Sequence, residues 1–99
     1  MLVARIKQQS VESRRYDISY ANRLRTSELL ATVGAVVIAP TTVPPMAATP
    51  YKSADNTTVN LYVEGGVDGT TYTLQVQVTT TDSGGVLWED ELEVSVEDI

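Results

Sequence analysis

The sequence predicts an all-β fold, an antiparallel sandwich, on three observations. Val59, Leu61 and Val63, then Tyr72, Leu74, Val76 and Val78, then Trp88, Leu92, Val94 and Val96 all alternate with mostly polar residues. Period-two alternation gives a strand one apolar face. Gly65-Gly66-Val67-Asp68-Gly69 and Asp82-Ser83-Gly84-Gly85 interrupt these runs with residues that tolerate the positive φ of hairpin turns. No segment carries a convincing helical period, and turn signals recur about every ten residues, as in sandwiches. The expected core is therefore Tyr16, Ile18, Val59, Leu61, Val63, Tyr72, Leu74, Val76, Val78, Trp88, Leu92, Val94 and Val96.

The whole chain, residues 1–99, is expected to form one domain. Residues 1–11 alternate weakly through Leu2, Ala4 and Ile6 and could be an extended arm or a first edge strand. Tyr16, Ile18 and Tyr20 then share one face of a firmer strand. Asn22 to Glu28 reads as a connection anchored by Leu24, with a helical turn possible. Leu29 to Ala39 is apolar and rich in valine; its β-branched residues and Gly34 favour a buried strand over a short helix. Pro40, Pro44, Pro45 and Pro50 mark residues 40–56 as a long proline-rich loop, since proline lacks a ladder donor and cannot sit in a central strand.

Composition removes several function classes. The chain has no cysteine and no histidine, so disulfides, zinc sites of the usual kind and ordinary serine or cysteine triads are not expected. We expect no catalytic residue, no cofactor, no metal and no small-molecule substrate. No apolar run approaches bilayer-spanning length, which gives no reason to expect a membrane partner. Arg5 and Lys7 break up any signal-peptide core, which predicts an intracellular origin.

The net charge of −6 is unevenly distributed. Arg5, Lys7, Arg14, Arg15, Arg23 and Arg25 against Glu12 and Asp17 give the first 25 residues +4, while Lys52 against eleven acids gives the rest −10. An acidic body disfavours nucleic acid. The basic block reads as arginines that blunt a strand edge, as a surface for an acidic protein partner, including another copy of the chain, or, least favoured, as a patch that touches nucleic-acid phosphate. The proline loop offers the second partner-binding candidate through Pro44, Pro45, Met46 and Tyr51, though Met46 and Tyr51 could instead tuck onto the sheet.

Three other features invite chemistry and fail on inspection. Glu89, Glu91 and Glu93 project from one strand face at a spacing of about 7 Å, a row and not the wrapped loop that calcium needs, so a solvated outer face is expected. Asp90 falls in the inward register between Trp88 and Leu92, which suggests a bulge at Glu89-Asp90 or a strand leaving the core. The glycine cluster lacks the lysine and following helix of a phosphate loop. Trp88 and Tyr72 face inward, which makes core packing the expectation over a sugar platform.

Two stretches carry a resemblance. Arg15-Tyr16-Asp17-Ile18-Ser19-Tyr20, followed by Leu24, resembles the opening of small virion proteins of tailed bacteriophages, the fiber-tail adaptors. Gly65-Gly66-Val67-Asp68-Gly69-Thr70-Thr71-Tyr72, on through Thr79-Thr80-Thr81-Asp82-Ser83-Gly84-Gly85 to the acidic last strand, is similar to their second half. Such Gly-Gly-turn-Tyr elements also occur in immunoglobulin-like modules. The chain departs from the family at Thr26-Ser27-Glu28, where Gly-Asp is frequent, and in the length of the Pro40–Pro50 segment. The resemblance implies an immunoglobulin-like sandwich and a non-enzymatic structural role at the neck or tail of a virion. It further implies several copies around the tail, other virion proteins as partners, and assembly in the host bacterial cytoplasm. A capsid decoration protein that clamps major capsid subunits, or a small immunoglobulin-like ligand-binding module, is the alternative.

Overall fold

A computed structural model describes residues 2–82 and 86–98. Eight strands follow the chain: β1 (Leu2–Gln8), β2 (Ser13–Ser19), β3 (Leu30–Val33), β4 (Val37–Ala39), β5 (Met46–Lys52), β6 (Thr58–Gly65), β7 (Thr71–Thr80) and β8 (Leu87–Val96). They build two sheets, one ordered β1-β8-β7-β3 with β4 also on β7, the other β2-β6-β5.

The core lies between the sheets, where the alternation places it. Ile18, Val59, Leu61, Val63, Tyr72, Leu74, Val76, Val78, Leu92, Val94 and Val96 are buried as expected, joined by Tyr20, Leu30 and Met46. Each such side chain contributes roughly 1.5–3 kcal/mol when taken fully out of water. Tyr16 and Trp88 pack against this cluster without being enclosed by it.

Five expectations are corrected. The Gly65–Gly69 break is not the turn of a hairpin: β6 and β7 belong to different sheets, so the glycines carry the chain across the sandwich. Both kinds of connection need the same positive φ, found here at Gly65, Gly66 and Gly69, so alternation and glycine could not tell them apart. The β7–β8 connection is an in-sheet antiparallel return, and its expected turn at Ser83-Gly84-Gly85 lies outside the described residues.

Pairing is also not antiparallel throughout. The first residues form an edge strand, β1, that runs parallel to β8 with Arg5 opposite Glu93 and Lys7 opposite Ser95. The proline-rich segment 40–56 is not an unstructured loop, because Met46–Lys52 pairs antiparallel with β6, placing Pro50 opposite Leu61. An edge strand tolerates proline since one side of its backbone carries no ladder. Leu29–Ala39 is interrupted: Val33 opposes Val78 and Val37 opposes Gln75, so four steps on one strand face three on the other. This one-residue surplus at Gly34–Val36 is a bulge on the sheet edge. Finally, no bulge expels Asp90, which sits in regular register opposite Val76.

Candidate interaction surface

Each basic residue of the first 25 has a carboxylate of its own chain within 4 Å, though all but Arg23 stay largely exposed. Laying β1 beside β8 brings Arg5 within 3.7 Å of Glu93 and Lys7 within 3.5 Å of Glu97. Arg14 meets Glu12 at 2.9 Å, Arg15 meets Asp17 at 3.1 Å, and Arg25 meets Asp82 at 3.8 Å. Solvated pairs of this kind add little stability, but they neutralise the segregation seen along the chain. Of the acidic row on β8, Glu93 thereby has a cation beside it. Gln77 Nε2 also donates to Glu89 Oε2 at 2.7 Å, which ties the acidic row into its own sheet.

Arg23 has a different role. Its Nη1 and Nη2 donate to Asp90 Oδ1 and Oδ2 at 3.2 and 2.6 Å, and Asp90 is 1% exposed. The guanidinium lies over the rings of Tyr20 and Trp88, at 4.3 and 5.2 Å from their centroids. Those rings stack on each other at 5.7 Å with 3° between planes. The Asp90 carboxylate raises the arginine's proton affinity above its ordinary value. Burial, and then the neighbouring Asp90, drive the Tyr20 phenol up as well. This is a structural lock that pins the β2–β3 connection to β8, and it commits both prongs of the Arg23 guanidinium to Asp90.

At the opposite end of the sandwich three connections converge. The turn 9–12 is held by Gln9 N–H donating to Glu12 Oε1 at 2.8 Å and by Ser10, whose N–H and Oγ donate to Asp98 at 2.7 and 2.8 Å. Beneath it the buried Gln8 donates to the carbonyls of Val63 and Glu12, both at 3.0 Å, and accepts from the Tyr16 hydroxyl. The connection 40–45 is fastened by Thr42 Oγ1, 2.7 Å from the Tyr72 hydroxyl, which in turn accepts from Val67 N–H at 2.8 Å. Between them lies a shallow cavity of about 330 Å³, whose lining includes Val11, Ser13, Pro45, Ala47 and Glu64. On this polar scaffold Val11 is 88% and Val43 95% exposed, with Pro44 and Pro45 exposed beside them.

A second uncovered apolar surface lies on the outer face of the β2-β6-β5 sheet. Thr49 opposes Tyr62 across β5 and β6, and Tyr51 opposes Asn60, so the two tyrosines are diagonal neighbours. Their rings meet edge to face at 5.6 Å and 81°, and with Thr49 they line a cavity of about 490 Å³.

The partner candidates read from sequence thus separate. Pro44 and Pro45 lie at the exposed end, with Lys7 and Arg14 lining a neighbouring cavity there. Arg5 and Arg15 lie along strands, Arg25 at the far end, and Tyr51 on the outer sheet face. Met46 is 6% exposed and belongs to the core, which removes it from the candidates. Its inward position in β5 became visible only once that strand was seen. Val11 and Val43 were missed, because a lone apolar residue in a turn carries no sequence signal of exposure; Tyr62 was missed although its register between the inward Leu61 and Val63 points it outward. Among the described residues, no three His, Cys, Asp or Glu side chains gather as a metal site.

The family model described as Gp77: Podophage GP4 fiber-tail adaptor protein gp77 matches residues 8–97. No curated protein matches the chain.

Proposed function

Because the chain belongs to the podophage GP4 fiber-tail adaptor family, and so is a structural, tail-associated virion component that contacts other virion proteins, we propose that it acts as several copies around the tail, joining the tail or neck to fiber components. The sandwich end built from turn 9–12 and connection 40–45 makes a principal contact. One observation carries this placement: Val43 is 95% and Val11 88% exposed on connections that are themselves hydrogen-bonded to the body. An apolar side chain on a fixed loop buries its surface on docking without the cost of ordering that loop. The protein works without catalysis, by surface complementarity alone, and its assembly into particles takes place in the host cytoplasm.

The test replaces Val11 and Val43 with serine and measures incorporation into particles alongside copy number. Loss of the adaptor with retained folding is the expected result. Full incorporation of the double variant would place the contact elsewhere. A shell-sized copy number, in place of a ring-sized one, would overturn the tail role in favour of capsid decoration.

A further inference from the structure

The exposed tip and the tyrosine cavity are unlike in shape, and we propose that they fit each other across neighbouring copies: the Val43-Pro44-Pro45 tip of one copy seats in the Tyr51–Tyr62 cavity of the next. The inference rests on the reading that several copies surround the tail.

Shape and chemistry are the first support. The tip is convex, with Val43 95% exposed and both prolines exposed. The cavity is a shallow, open hollow of about 490 Å³, bordered by two tyrosine rings at 81°. Fixed aromatic walls that take up an apolar anchor are the usual centre of a protein interface.

Charge is the second support. Two copies of net charge −6 repel, and a contact through neutral ground adds nothing to that repulsion. Residues 40–51, which contain the tip, Thr49 and Tyr51, include no charged side chain. Beside the tyrosines, Arg15 and Asp17 neutralise each other at 3.1 Å. Lys52 turns away to donate to the Ala31 carbonyl at 2.9 Å.

Distance then makes the contact intermolecular. Pro45 and Tyr51 stand six residues apart at the two ends of one strand, roughly 20 Å at strand rise. The tip of a copy cannot reach its own cavity. A contact between two different patches is head to tail, and repetition of it generates a ring or an open filament and not a two-fold dimer. That is the symmetry class a ring around a tail requires.

The test uses two full-length variants, each with one half disabled: Val43→Glu in the tip, and Tyr51→Ser with Tyr62→Ser in the cavity. All three residues are exposed, so both variants should fold. Labelled tip variant titrated with the cavity variant, followed by amide chemical shifts up to about 1 mM, a weak-association limit, should shift Thr49, Tyr51 and Tyr62. The mixture should stop at one-to-one dimers, while the parent forms longer species and each variant alone stays monomeric. Absence of shifts at that concentration overturns the inference. If shifts are absent but the cavity variant still drops out of particles, the cavity belongs to a different virion protein, and the self-docking is wrong while the adaptor reading stands. Full incorporation of both variants at parental copy number also overturns it.

Discussion

Arg23 and Asp90, 67 residues apart in sequence, form a two-pronged ion pair whose carboxylate is 1% exposed. The pair reconciles an acid in a core register with a sandwich that has no bulge there. Arg23→Met should cost roughly 3–5 kcal/mol, because it leaves a buried charge without its counterion. Arg23→Met combined with Asp90→Leu should recover most of that loss. Urea midpoints of the single and double variants decide it; a single variant as stable as the parent would show the pair to be idle.

Tyr20 should tolerate loss of its hydroxyl better than loss of its ring. The hydroxyl is enclosed near Asp90 but makes no hydrogen bond of good geometry among the described residues, so Tyr20→Phe should stay within about 1 kcal/mol of the parent. Tyr20→Ala, which abolishes the stack on Trp88 and empties a site with 0% exposure, should cost roughly 3–5 kcal/mol. Thermal melts of the two variants should therefore differ widely. Equal losses would show that the hydroxyl is bonded.

Gly65→Ala should be worse than Gly69→Ala. Both glycines have positive φ, 78° and 81°, and share a strain of about 1–2 kcal/mol for any other residue. A Cβ on Gly65 would also stand 2.8 Å from the Pro45 carbonyl oxygen, whereas one on Gly69 would meet nothing within 4 Å. The added clash pushes directly on the connection that carries Val43. Comparable denaturation midpoints for the two variants would contradict this.

Asp98 should make a pH-dependent contribution. The Ser10 N–H and hydroxyl bonds hold its carboxyl below the ordinary aspartate value. A group lowered in the folded state stabilises above its unfolded pKa, and that contribution disappears as pH falls through the folded pKa. Asp98→Asn should thus be less stable than the parent at neutral pH, and the gap should close on acidification below the usual aspartate range. Urea midpoints across that range measure it. A gap that persists in acid would assign the effect to something other than the charge.

The sequence by itself determined the strands β6, β7 and β8 and nearly all of their buried face, because a period of two leaves a strand only one apolar side. It also marked the positions of the breaks, since positive φ at Gly65, Gly66 and Gly69 needs glycine whatever the connection does. Resemblance in the turn-rich half carried the family, which the match over residues 8–97 establishes. Partnership between strands was decided only in three dimensions. Alternation states that a face is apolar and is silent on which sheet will cover it, so β6 and β7 read as a hairpin and lie in opposite layers. The same holds for charge. Arg5, Lys7 and Arg23 looked available because Glu93, Glu97 and Asp90 are far away along the chain, and the parallel β1–β8 pairing and the β2–β3 connection bring them together. Surface availability is what remains after the chain has satisfied its own groups, and that subtraction is made by the tertiary structure.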